Sequence, residues 1–290
     1  MKKIIKQFFQ SFGYEILRYH PLDLKIYEDH YTEDSLKNRR FYNIGAGAFS
    51  HPYWTNIDYF SDWYSSNHKY TEKGIQHDLF SLKPIPVDTA TAEIVYSSHT
   101  VEHINDEAAF YMFKEAYRML KEGGVFRLTM PNIDLLYRAY CNEDRHYFNW
   151  IDTYSIPKNF ERIKINIPMN RASISQIFLY YFASSMSTIH ADGASERIDD
   201  EKLKTIFKEM PYNQALDYCS KQCPIEIQQK YPGNHMNWWN KEKTIRMLKK
   251  AGFKDIYSSG YGQSYNRILR DTSKFDNTNP KMSFYIESVK

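Results

Sequence analysis

Cysteine is scarce in this 290-residue sequence. Cys141, Cys219 and Cys223 are the only three, an odd number that argues against a secreted disulfide framework and for a reducing compartment. Charge of one sign is scarce as well. The 38 basic and 35 acidic side chains leave a formal +3, too small a bias for a nucleic-acid footprint or a polybasic membrane anchor. No apolar run approaches the roughly 18 residues that a spanning helix needs. The start, Met1 to Gln10, is basic like a signal peptide, but Lys6, Gln7 and Gln10 interrupt its apolar stretch; it is read as retained, and a cytoplasmic location is expected. Repeats and low-complexity segments are missing too. What remains, with 42% hydrophobic and 25% charged residues, is the composition of a soluble globular protein. Aromatics are plentiful at 17%, and most are expected to be ordinary core residues.

Along the chain, residues 1–35 read as a helical arm, because Ile5, Phe8, Phe9 and Phe12 follow helical spacing with lysines on the other side. That face is expected to dock on its own domain or on a second subunit, with peripheral membrane contact as the other use. From Arg40 the texture becomes short apolar runs alternating with turns and helices, the pattern of an α/β sheet. Strands are predicted at Phe41–Ile44, Thr55–Asp58, Ile94–Tyr96, Val125–Met130, Phe253–Ser258 and Met282–Val289. A helix is predicted from an Asn105 or Asp106 cap, with Phe110, Phe113, Tyr117 and Leu120 as its stripe and Gly123-Gly124 as its stop. Another runs from an Asn240 cap to Ala251-Gly252. Residues 142–239 lack this rhythm and carry aromatic clusters with scattered His, Arg and Pro, as an insertion over the sheet's ligand edge would.

Gly45-Ala46-Gly47 follows the first strand directly. Glycine permits positive φ and leaves the backbone bare, so a nucleotide-like cofactor can press against such a turn. The full dinucleotide fingerprint is not met: Ser50 stands where its third glycine belongs, Pro52 interrupts the receiving helix, and Asp58 comes too early after the turn.

The set is more specific than any member: Asn43-Ile44-Gly45-Ala46-Gly47, Asn56-Ile57-Asp58, His77-Asp78-Leu79, the run from Ile94 to His103, and Leu120-Lys121-Glu122-Gly123-Gly124. Together they resemble the class I S-adenosylmethionine-dependent methyltransferases, in the compact, type 11-like branch. The resemblance covers about residues 40–140 and, more loosely, 240–290. It implies a Rossmann-like, mostly parallel sheet with an antiparallel last strand over residues 36–141 and 240–290, interrupted by a largely helical acceptor-binding or lid region at 142–239. It implies S-adenosylmethionine as cofactor and S-adenosylhomocysteine as product. The Gly45-Ala46-Gly47 turn would run beneath the methionine and ribose, Asp58 would take both ribose hydroxyls, Asp78 with Leu79 the adenine, and Asn43 and Tyr59 would complete the cofactor-binding set. Ser98 and His99 would edge the methyl-transfer site. Asn43 stands where the family often has an acid, and Ala48-Phe49 where it often has a third glycine.

Methyl transfer from a sulfonium needs a held donor, an in-line nucleophile and sometimes a base, with no obligatory metal. His99 is a candidate base at the carboxyl edge of the sheet, and His190 and His235 are candidates from the insertion; His190 lies two residues before Asp192, which could orient it. His99 to His103 spells His-x-x-Glu-His, a zinc-peptidase pattern. It begins at a strand end, so its two imidazoles need not converge, and no metal ligand is expected; Glu102 and His103 are read as packing partners. The expected function is methyl transfer to a hydroxyl or amine of a small polar acceptor, such as a sugar or a cell-surface glycoconjugate precursor of polysaccharide biosynthesis. No nucleic-acid partner is expected, and an oligomer is compatible with the arm. The alternatives are an NAD(P)-dependent oxidoreductase and a non-catalytic binding protein on the same fold.

Overall fold

A computed structural model describes residues 2–12, 23–59, 74–148 and 164–290. Its centre is a sheet of strands β1 (Phe41–Ile44), β2 (Trp54–Asp58), β3 (Gly74–Gln76), β4 (Ala92–Ser98), β5 (Leu120–Pro131), β6 (Asp255–Ser259) and β7 (Ser283–Val289), in the spatial order β3-β2-β1-β4-β5-β7-β6. Pairing is parallel across the first five strands, and β7 runs antiparallel to both β5 and β6. This is the expected Rossmann-like sheet with an antiparallel last strand. The strand order reverses between β1 and β4, which places the crevice of an open α/β sheet at the carboxyl ends of these two strands.

The central strands are covered on both faces, so their side chains alternate between two cores rather than between core and water. Tyr42, Ile44 and Val95 join the core beneath helices α4 (Asp106–Met119) and α10 (Lys241–Ala251). Phe41, Ile94 and Tyr96 join the opposite one, closed by Tyr27, Trp54 and Phe275. Asn105 and Asn240 cap the two helices, accepting from the N–H of Ala108 and Lys243. The predicted stop of α4 is corrected: the chain is already extended at Leu120, and Gly123-Gly124 lies inside β5, where the pairing with β4 shifts register. β3 carries no apolar pattern in the sequence and was not predicted; pairing with β2 makes it a strand.

Between β5 and α10 the described residues are mainly short helices, with the longer α7 (Asp200–Glu209) and α8 (Tyr212–Ser220) among them, around a separate core that includes Phe178, Phe182, Leu203 and Trp238. The helical insertion is therefore present; residues 149–163 of it lie outside the described set. Helix α1 (Lys2–Ser11) forms where the arm predicts it, but Ile4, Phe8 and Phe12 are 70%, 59% and 64% exposed. Among the described residues its apolar face is therefore not packed on the domain. Tyr27, by contrast, is buried and accepts a 2.8 Å hydrogen bond from Trp54 Nε1, so this part of the arm belongs to the sheet's core. No helix among the described residues is long and apolar enough to cross a membrane.

Candidate active site

The β1 turn is built by its neighbours. Gly45 has φ +69 and donates to the Ile57 carbonyl at 2.8 Å, and a Cβ there would lie 2.1 Å from Thr100 Oγ1. Only glycine fits. Gly47 has φ +53, but a Cβ there would meet nothing within 4 Å: its backbone is bare toward open space. Asp58, at the end of β2, anchors the turn by accepting from Gly47 N and Tyr59 N, both at 2.7 Å. His77 N donates to the Asp58 carbonyl at 2.9 Å, which brings Asp78 alongside. Asp78 accepts from Phe80 N at 2.9 Å.

These stations converge. Gly45, Ala46, Gly47, Asp58, Tyr59, Asp78 and Leu79 line one cavity of about 990 Å³, at the upper end of the size of small-molecule sites. Ser98, His99 and His235 line the same cavity. Two expected residues do not. Asn43 is buried in β1 below the turn, outside the lining. His190 is 0% exposed in the insertion, between Tyr180 and Tyr231 with Nε2 at 3.0 Å from Asn234 Nδ2, and also stays outside the lining. The base role expected of His190 is corrected on this ground: a ring with no exposure cannot meet a substrate. Nor does Asp192 orient it, since Asp192 pairs with Lys230 and Tyr231 instead.

His99 sits just past β4 with φ +51, a backbone conformation uncommon outside glycine and a frequent mark of functional sites. Its ring is turned so that Nε2 is 2.7 Å from Ser283 Oγ and Nδ1 is 3.0 Å from Glu102 Oε1. Ser283 Oγ itself donates to the Asn279 carbonyl at 2.8 Å, so it accepts from His99. With both ring nitrogens engaged, His99 positions rather than offering a lone pair to an incoming group.

The insertion closes the other side. Ser184 N donates to the His235 carbonyl at 2.8 Å, Met236 N to the Glu102 carbonyl at 2.9 Å, and Gln228 Nε2 to the carbonyls of His103 and Asn234 at 3.0 and 2.8 Å. These bonds stitch the loop before Trp238 onto the end of β4. They also bring His235, far away in the sequence, to the neighbouring pair Glu102 and His103. Glu102, His103 and His235 each place one ligand-type atom within 4.8 Å of the others. His103 Nδ1 lies 2.9 Å from the Asn234 carbonyl and His235 Nδ1 lies 2.6 Å from the Tyr181 carbonyl. A carbonyl only accepts, so both rings carry their proton on Nδ1 and present Nε2 as a lone pair when neutral. Burial, with His103 beside it, lowers the His235 pKa to about 4, so that ring is neutral at pH 7. Glu102 is 1% exposed. Burial alone would raise its pKa, but the imidazoles, His99 foremost, hold it down at about 2. Despite the His99 contact, neither Glu102 oxygen has a hydrogen bond of good geometry.

Residues 45–128 match the family model described as a methyltransferase domain. No curated protein matches the sequence. Solved structures that resemble the chain include a SAM-dependent methyltransferase from Archaeoglobus fulgidus, at 13% identity over 92% of this chain and 91% of that one with a TM-score of 0.40. An S-adenosylmethionine-dependent methyltransferase from Mesorhizobium loti is 13% identical over 87% and 90%, with a TM-score of 0.37. Haemonchus contortus phosphoethanolamine N-methyltransferase 2, solved with S-adenosyl-L-methionine, is 12% identical over 86% of this chain and 48% of that one, with a TM-score of 0.35.

Proposed function

We propose, from the match of residues 45–128 to the methyltransferase-domain model, that this protein uses S-adenosylmethionine to methylate a hydroxyl or amine of a small polar acceptor. The supporting observation is a single cavity walled on one side by the β1 turn, Asp58 and Asp78, and on the other by residues of the helical insertion.

The residues present fit the cofactor. Gly47 offers bare backbone where a side chain would intrude on a ligand. Asp58 and Asp78 are carboxylates, hydrogen-bond acceptors that complement the two vicinal hydroxyls of a ribose and the amino group of an adenine. When bound, S-adenosylmethionine supplies an electrophilic methyl group on a sulfonium. The chain's own contribution is placement, because holding two reactants in line removes much of the barrier to such a displacement. Tyr180, Tyr181 and Asn234 from the insertion line the acceptor side. There they combine aromatic surface with hydrogen-bonding groups, a lining suited to a sugar-like compound. A glycoconjugate precursor is the acceptor class we favour.

The test has two stages. Calorimetric titration with S-adenosylhomocysteine should show one site per chain, and Asp58→Ala should weaken it at least tenfold. Incubation with labelled S-adenosylmethionine and a panel of sugar and amino-alcohol acceptors should then give labelled product. A protein indifferent to S-adenosylhomocysteine overturns the reading, and label in no panel member overturns the proposed acceptor class.

A further inference from the structure

The acceptor wall of the cavity carries a donor set that cofactor binding leaves unexplained. Glu102, His103 and His235 come from the end of β4 and from the insertion loop, a separation of more than a hundred residues, and meet with one ligand-type atom each inside a 4.8 Å span. Glu102 is buried with its Oε2 unpartnered. An ionised carboxylate without its full set of partners is costly to bury. A divalent cation would satisfy all three at once.

We propose that Glu102, His103 Nε2 and His235 Nε2 form a binding site for a first-row divalent cation of the zinc class, open to the cavity, which takes an oxygen of the methyl acceptor in its remaining position. The use of the site rests on the methyl-transfer reading above; the site itself does not.

Three features support it. Two histidines and one glutamate with an open position is a recurrent ligand set for catalytic zinc, and imidazole nitrogens favour zinc, iron or cobalt over magnesium or calcium. The outer partners are also in place. Ligating histidines almost always donate their second N–H to a carbonyl or carboxylate, and ligating carboxylates are themselves held. Here both Nδ1 atoms face backbone carbonyls at 2.9 and 2.6 Å, and His99 Nδ1 lies 3.0 Å from Glu102 Oε1. Finally, the distances are close. Tetrahedral bonds of about 2.1 Å put ligand atoms roughly 3.4 Å apart, within reach of small side-chain rotations from the observed span.

The site narrows the acceptor chemistry. A cation there acidifies a bound hydroxyl, whose proton passes to water. An oxygen nucleophile, especially one with a neighbouring oxygen that can chelate, is therefore favoured over an amine.

The experiment uses full-length, tag-free protein stripped with a chelator and dialysed. It is titrated with Co²⁺ while visible absorption is followed, then with Zn²⁺ to displace the cobalt. One equivalent of Co²⁺ should bind and give a ligand-field band that Zn²⁺ abolishes. Glu102→Gln and His235→Ala should each weaken binding at least a hundredfold, while His146→Gln, an exposed histidine outside the cavity, should leave it intact. Thermal melts of every variant establish that it is folded. No stoichiometric band, or a band that survives in folded Glu102→Gln and His235→Ala, overturns the site. S-adenosylhomocysteine is titrated into the same metal-free samples. Its binding without a cobalt band refutes the metal site alone, and a cobalt band in protein that ignores S-adenosylhomocysteine supports the site while overturning the methyl-transfer reading.

Discussion

Replacing Gly45 by alanine probes the tightest joint of the cavity. The backbone there has φ +69, and holding an L-residue in the left-handed region costs about 1–2 kcal/mol. Steric conflict adds to this. The new Cβ would lie 2.1 Å from Thr100 Oγ1, 2.4 Å from Cγ2 and 2.8 Å from Cβ. Thr100 is β-branched and short, so no rotation clears all three atoms, and its hydroxyl donates to the Ile44 carbonyl at 3.2 Å. Overpacking of this kind costs typically 1–3 kcal/mol. The sum, about 2–5 kcal/mol, is a large part of the 5–15 kcal/mol typical of a folded domain. Urea unfolding should show the loss as a lower midpoint at an unchanged slope. Thr100→Gly removes every clashing atom, so the double variant Gly45→Ala/Thr100→Gly should recover at least about 1 kcal/mol relative to the sum of the singles, leaving the backbone strain. Gly47→Ala gives the contrast: no protein atom lies within 4 Å of its Cβ, so it should cost only about 1–2 kcal/mol of stability, yet weaken S-adenosylhomocysteine binding. A Gly45→Ala protein within 0.5 kcal/mol of the parent, or a double variant that is strictly additive, would refute this account of the turn.

Two further outcomes concern buried charge. Arg127 is fully buried on β5, donating to Asp276 at 2.5 Å and to Glu287 at 2.9 Å; Arg127→Met leaves two buried carboxylates uncompensated and should cost about 3–5 kcal/mol, and a loss below 1 kcal/mol in urea titration would contradict it. His51 and His190 are each lowered to about 4, first by burial and then by nearby Lys274 and Arg197 respectively. The unfolded chain therefore binds protons that the folded one refuses, so stability is full above pH 6.5 and falls toward pH 4, by on the order of 2 kcal/mol per ring at pH 5. Equal urea midpoints at pH 7 and pH 5 would show that these rings are not desolvated.

Much of the sheet was legible before any coordinates, because its signals are local. Buried parallel strands show as short apolar runs, helix caps as Asn105 and Asn240, and the β1 turn as two glycines after a strand. Asp58 ends the predicted second strand, whereas Asp78 follows β3, which no local pattern marks, and was singled out by the family resemblance alone. Gly123-Gly124 was misread because a glycine pair after a helix looks the same whether it ends the helix or relaxes a strand, and only pairing with β4 decides between them. His190 was misread because its neighbour in sequence, Asp192, turned to Lys230 and Tyr231 in space.

The His-x-x-Glu-His run shows where local reading ends. Because it begins at a strand end, His99 and His103 are not expected to converge; His99 turns to Ser283 and Glu102, while His103 Nδ1 faces the Asn234 carbonyl. That Glu102 and His103 instead meet His235 is a long-range fact, made by hydrogen bonds between the insertion loop and the end of β4. Sequence alone determined six of the seven strands and the glycine turn, because each is written in the few residues that form it. The insertion side of the cavity, the place of His190 outside its lining and the Glu102–His103–His235 cluster were decided by tertiary structure, because they depend on where distant segments pack.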